Sequence, residues 1–150
     1  MSRMKVFATN KRARFDYDIT ETMMAGIVLS GPETKSVRGG GVSLRGSFIA
    51  IQGDEAYLTN AHINPYPHAQ GLAGYEPTSR RKLLVHRREL SQLIAAKNAG
   101  FGVVPLAIGA SGRYLKIEVG IGRGKKRHDK RQTIKERETT RQMRRDIKRV

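Results

Sequence analysis

Residues 101–121, F-G-V-V-P-L-A-I-G-A-S-G-R-Y-L-K-I-E-V-G-I, decide the fold class. Two apolar runs flank a Ser111-Gly112 turn, the pattern of an antiparallel hairpin. In the second run Tyr114, Lys116 and Glu118 alternate with Leu115, Ile117, Val119 and Ile121, so one face is buried and the other wet. Pro105 has no N–H to give to a strand ladder and marks an edge or a bulge in the first run.

Working upstream, His86 to Lys97 reads as a helix, with Leu90, Leu93, Ile94 and Lys97 on one side and Gly100 at its end. R-K-L-L-V at 81–85 reads as a strand, and 64–79, with Pro65, Pro67 and Pro77, as an irregular loop. S-F-I-A-I-Q at 47–52 and A-Y-L-T-N at 56–60 form a hairpin through Gly53-Asp54-Glu55. Gly31-Pro32-Glu33-Thr34-Lys35 opens a helix of about two turns that Gly39–Gly41 would end. Residues 16–29 alternate and then run apolar, as one long or two short strands bent near Gly26. Six or seven short strands with two or three short helices predict a mainly β domain over 1–122. A small OB-type barrel is the natural candidate, and an SH3-like barrel or an α+β sandwich also fits the pattern.

The chain has 150 residues and a net charge of +16, from 29 Lys+Arg against 13 Asp+Glu. Residues 123–150 alone carry 13 basic and 4 acidic side chains, a net of +9. Their apolar side chains are Ile134, Met143, Ile147 and Val150, and the last three recur at i, i+4, i+7. That stripe is too thin to repay the entropy of folding alone. Residues 123–150 therefore read as a basic tail, disordered when free and helical against a partner. So basic a chain expects a polyanion. No apolar run is long enough to span a bilayer, and the start M-S-R-M-K-V-F-A-T-N has no secretory h-region and no Gly after Met. The expected setting is cytoplasmic, with nucleic acid as partner.

Chemistry by cofactor or nucleophile finds little support. The absence of Cys excludes disulfides, thiolate metal sites and thiol nucleophiles. Gly120-x-Gly122-x-Gly124-Lys125-Lys126 resembles a phosphate loop only superficially. Val119 stands where a Walker A motif needs Gly, and Lys126 where it needs Ser or Thr. The histidines at 62, 68, 86 and 128 have no metal-ligand spacing, and G-x-S-x-G is absent. Glu33, Glu76 and Glu89 read as caps or ion-pair partners. The expectation is no enzyme, no cofactor and no metal.

Binding has positive signals. Lys11, Arg12 and Arg14 fall beside Asn10, Lys35, Ser36 and Arg38 share one short helix, and Arg45 follows. Arg80, Arg81 and Lys82 precede the strand core at 83–85, and Arg87 and Arg88 follow it. A barrel would bring such blocks to one face, where cations meet phosphates and amides or hydroxyls fix register. With no Trp and nine Phe plus Tyr, a base-stacking platform for single strands is poorly supplied. Folded RNA, recognised by shape and backbone, fits better.

Six blocks in order carry a resemblance: N-K-R-A-R at 10–14, A-G-I-V-L at 25–29, E-T-K-S-V-R-G-G at 33–40, N-A-H-I-N-P-Y at 60–66, R-K-L-L-V-H-R-R-E-L at 81–90, and G-K-K-R-H-D-K-R-Q-T-I-K-E-R-E at 124–138. Together they resemble the small protein B family of bacterial trans-translation, over about residues 8–140. The resemblance implies an OB-type barrel with a basic tail that binds transfer-messenger RNA at its tRNA-like domain. It also implies a ribosome partner, delivery with elongation factor Tu and GTP, and an indirect link to alanyl-tRNA synthetase. The protein itself would be a monomer. Asn10, Lys11, Arg12, Lys35, Ser36, Arg38, Lys82 and Leu84 then belong to the RNA-facing set. Gly124, Lys125, Lys126, His128, Asp129, Lys130 and Arg131 match the tail motif of the decoding centre, with Ile134, Met143 and Ile147 on a helix in the empty mRNA channel. Met24 stands where the family commonly has Glu, Glu76 and Ser79 where it has Asp and Arg, and Gly39 where it has Ala. A structural ribosomal protein would share the same charge, barrel and tail.

Overall fold

The computed structural model describes residues 4–69, 73–125 and 127–148, with side chains left out at 127–129, 133 and 146–148. In chain order the elements are β1 Lys5–Thr9, α1 Lys11–Asp16, β2 Tyr17–Ile27, α2 Gly31–Arg38, β3 Val42–Ser43, β4 Phe48–Gln52 and β5 Glu55–Thr59. They continue with β6 His62–Ile63, β7 Arg81–Leu84, α3 Arg87–Asn98, β8 Gly102–Ser111, β9 Tyr114–Gly124 and α4 Arg127–Lys148. Seven strands form one antiparallel sheet in the order β1-β8-β9-β2-β7-β5-β4, and β3 pairs with β6 apart from it. The sheet curls until β4 comes back against β8, which gives the barrel.

The expected hairpin lies at its centre. Strands β8 and β9 pair from Gly102↔Gly122 to Ser111↔Tyr114, with a register shift between Pro105 and Ala107. Pro105 is therefore at a bulge and not at an edge, since β8 lies between β1 and β9. Nearly all of β8 is buried because both its faces are covered. One faces the main core of Ile49, Leu58, Ile63, Leu93, Ile108 and Ile117. Ala13 of α1 packs with Val104 and Leu106 on the other, with Tyr17 and Ile19 beside them.

Gly120 and Gly122 are explained by this packing. A Cβ at Gly120 would stand 2.8 Å from Leu106 Cδ1, and one at Gly122 would overlap the Asp18 carbonyl. The glycine-rich run is a close approach of strands and not a phosphate loop. Strand β2 pairs with β9 as far as Gly26, and there its Gly26 and Ile27 pair with β7. Within the segment 16–29, Tyr17–Ile27 is thus one long strand, and its register shift lies between Ile19 and Glu21.

Helices α2 and α3 both start with a capping box. Ser30 Oγ accepts from the Glu33 amide at 3.2 Å while Glu33 accepts from the Ser30 amide at 3.1 Å. Glu89 accepts from the His86 amide in the same way. α3 seals the core with Leu90 and Leu93.

Two differences from the sequence expectation bear on function. β1 and α1 precede the strand that was expected to be first. β9 runs on to Gly124, two residues into the segment assigned to the tail, because its pairing with β2 continues through Tyr17↔Gly124. Residues 127–148 form one helix of 22 residues.

Candidate nucleic-acid interface

Three of the expected RNA-facing side chains point inward. Asn10 is buried as the N-cap of α1: its Oδ1 accepts from the Ala13 amide at 3.2 Å, and its Nδ2 donates to the Pro105 carbonyl at 2.9 Å. Ser36, on the inner side of α2, donates to the Asn64 carbonyl at 2.6 Å. Arg81 is only 3% exposed. Its Nη2 lies 2.7 Å and its Nε 3.0 Å from Glu33 Oε2, and its Nη1 donates to the carbonyls of Ala61 and Pro77 at 2.8 Å each. Tyr75 closes the cluster, donating to the Ile63 carbonyl at 3.0 Å.

The strand period explains the split between neighbours. Along β7 the side chains of Arg81 and Leu83 point inward, and those of Lys82 and Leu84 outward. Burial raises the Glu33 pKa, but hydrogen bonds from the Ser30 amide and Arg81, with the guanidinium charge, outweigh it and hold the carboxyl below its ordinary value. Burial first, then the Glu33 charge, pushes the Tyr75 hydroxyl up. These groups tie α2 to the 61–77 segment.

Of the other predicted residues, Lys11 with Arg12, Lys35, and Lys82 with Leu84 line three clefts. Lys11, Arg12 and Arg45 meet Phe15 and Arg137 around a cleft of about 690 Å³. Lys35 lines a second, of about 490 Å³, with Tyr66 and His68. Lys82 and Leu84 border a third, also about 490 Å³, with His86 and Lys116. Leu84 is 56% exposed, and it lies over Gly26, where a Cβ would stand 3.2 Å from its own.

Several of the exposed cations already have a partner. Lys82 Nζ lies 2.9 Å from Glu55 Oε1, and the Arg80 guanidinium stacks 4.0 Å over the Tyr57 ring while donating to Gln52. Tyr57 and then Lys82 donate to Glu55 and lower its pKa, while the Glu55 bond raises that of Lys82. Arg14 reaches Glu118 at 3.5 Å, and Arg38 donates to the Arg113 carbonyl at 2.9 Å. Lys11, Lys35 and Arg45 are exposed at their clefts.

The tail begins where β9 ends. Gly124 closes the strand, and the Lys125 amide donates to the Asp16 carbonyl at 2.7 Å. Lys130 Nζ lies 3.2 Å from Asp16 Oδ1, and Arg12 Nε 3.1 Å from Oδ2. Arg12, Lys130 and Arg137 surround the Phe15 ring at 5.2, 5.9 and 5.8 Å from its centroid. Arg131 is exposed, Ile134 is 43% exposed and Met143 61%, so these two apolar positions of α4 do not join the core. Lys126 and the side chains of His128, Asp129 and Ile147 lie outside the described residues.

The aromatic partners Phe15, Tyr57 and Tyr66 are absent from the sequence-predicted set. The low aromatic count argued against them, yet Phe15 directly follows the basic block at 10–14, which is a legible signal. No helix among the described residues is long and apolar enough to cross a membrane.

Comparison with known proteins places this architecture. A model of the SmpB protein family matches residues 7–149. The SsrA-binding protein of Chloroflexus aggregans is 48% identical over 149 residues, covering 99% of this chain and 94% of its own length. That of a Synechococcus strain is 46% identical over 146 residues, covering 97% and 95%. A solved structure described as "tmRNA-SmpB: a journey to the center of the bacterial ribosome" is 41% identical, with a TM-score of 0.65, over 84% of this chain and 92% of its own. With the match spanning barrel and α4 alike, the chain belongs to the SmpB family of SsrA-binding proteins.

Proposed function

We propose that the protein is an RNA-binding adaptor of trans-translation. The barrel binds the tRNA-like domain of transfer-messenger RNA, and the basic C-terminal segment acts on the ribosome, in the decoding centre and the empty mRNA channel. The observation that carries this reading is the cleft where Lys11, Arg12 and Arg45 of the barrel meet Arg137 of α4. Basic side chains from both parts line one exposed surface, which suits a folded RNA backbone more than a small acidic substrate.

In this reading the barrel's exposed cations neutralise phosphates, and Leu84 packs against an unstacked base. Residues 124–131 contact ribosomal RNA, and Ile134 and Met143 line a helix held by its surroundings in the channel. On the ribosome, rRNA offsets the charge repulsion along the tail. Delivery proceeds with elongation factor Tu and GTP, on transfer-messenger RNA charged by alanyl-tRNA synthetase. No step asks the protein to make or break a bond.

Purification of the protein from its own cells, followed by sequencing of the bound RNA, tests this directly. Transfer-messenger RNA enriched far above its cellular share is the expected result. Ribosomal RNA alone, in fixed proportion to every ribosome, would identify a structural ribosomal protein instead.

A further inference from the structure

We propose that the cleft between α2 and residues 64–69 takes one unstacked nucleotide of the bound RNA, with its base on Tyr66 and its phosphate at Lys35. This rests on the RNA-binding reading above and adds a base-stacking site to it. The cleft, about 490 Å³, is lined by Lys35, Ser36, Asn64, Tyr66 and His68 together with glycines and prolines, and by no carboxylate. Two groups complementary to a nucleotide, Lys35 and His68, each stand within 6 Å of the Tyr66 ring. Lys35 Nζ lies 5.6 Å from the centroid of the Tyr66 ring. The His68 ring meets Tyr66 edge to face, with centroids 5.5 Å apart and planes at 73°.

The floor is built rather than incidental. Ser36 Oγ donates to the Asn64 carbonyl at 2.6 Å, and the Asn64 amide donates to the Gly41 carbonyl at 2.8 Å. The Gly41 amide in turn donates to the Ser36 carbonyl at 2.8 Å. Gly41 permits this closeness, because a Cβ there would stand 2.6 Å from Ser36 Oγ. Ser36 therefore fixes the loop against α2, and the loop presents its two rings beside the exposed Lys35.

An ammonium resting on a half-buried surface ring is held weakly, so a phosphate readily draws it off and leaves the π-face to a base. The flat faces of all four bases suit such a site, and the exposed Asn64 side chain lines the same cleft. Packing of one base on Tyr66 gives a shape-reading protein a second foothold without sequence readout.

The chain has no Trp, so Tyr66→Trp creates its only indole, placed in this cleft. Titration with the RNA of the tRNA-like domain is expected to quench that indole as the complex forms. Tyr66→Ala should bind the same RNA about tenfold more weakly, while Tyr66→Phe, which keeps the ring, stays close to the original protein. An indole unchanged in emission while the RNA binds with original affinity overturns the pocket, as does a Tyr66→Ala variant that binds as tightly as the original. If the unaltered protein fails to bind this RNA at all, the RNA-binding reading itself falls, and the pocket with it.

Discussion

In the barrel, basic side chains repeatedly meet acidic ones: Arg81 with Glu33, Lys82 with Glu55, Arg14 with Glu118. Along α4, every described side chain from Arg131 to Arg145 is exposed. The two regions carry comparable excess charge, yet part of the barrel's basic set is taken up in holding the fold. Clusters such as Arg80-Arg81-Lys82 thus overstate the surface offered to RNA, whereas the described tail cations from Arg131 to Arg145 all stand exposed. Charge counted along a folded scaffold has to be reduced by its internal partners before it is assigned to a ligand.

The largest expected effect separates two adjacent arginines. Arg81→Ala strands Glu33 in a mostly buried site and should cost about 3 kcal/mol of stability in urea unfolding. Arg80→Ala, on the solvent side, should stay within about 0.5 kcal/mol. Equal costs would break the distinction between inward and outward cations. Next comes RNA affinity. Reversing Lys35 and Arg38 to Glu should weaken binding at least about tenfold and flatten the log–log salt dependence by about one unit per lost phosphate contact. A salt slope identical to that of the unaltered protein would remove α2 from the interface.

Asn10→Ala should behave as a structural change, costing about 1 kcal/mol of stability through the lost cap of α1. Its RNA affinity should fall only as far as α1 frays and misplaces Lys11 and Arg12. The smallest effect is in acid. Because the folded Glu33 pKa is depressed, the pair's contribution is fully present above the ordinary carboxylate value of 4.5. It is lost as pH falls through the lower, folded-state pKa. Stability should therefore decline as pH falls from 4.5 through the folded-state pKa, and the decline should be shallower in Arg81→Ala; the same acid slope in both proteins would remove the pair as its source.

The barrel was legible where periodicity and turn chemistry agree. The 101–121 hairpin, the helix from Gly31 and the hairpin of β4 and β5 all follow from alternation, caps and glycines. β1 and α1 were not, because M-K-V-F-A-T is too short to show a period, and its pairing partner Ala107–Ala110 is a hundred residues away. The two-residue strands β3 and β6 exist only through each other. For the site, the basic blocks were visible but their orientation was not. Nothing local to Arg81 or Ser36 says that Glu33 and Asn64 wait for them across the fold, while the alternation along β7 did carry the hint that Arg81 and Lys82 face opposite ways.

One measurement tests the division of labour between barrel and tail most directly. Truncation after Lys125 keeps β9 and its tie to Asp16 whole while removing α4. Transfer-messenger RNA binding and peptide tagging on stalled ribosomes are then measured on the same preparation. The account predicts that most of the RNA affinity survives while tagging stops. Tagging at the original rate by the truncated protein would contradict it.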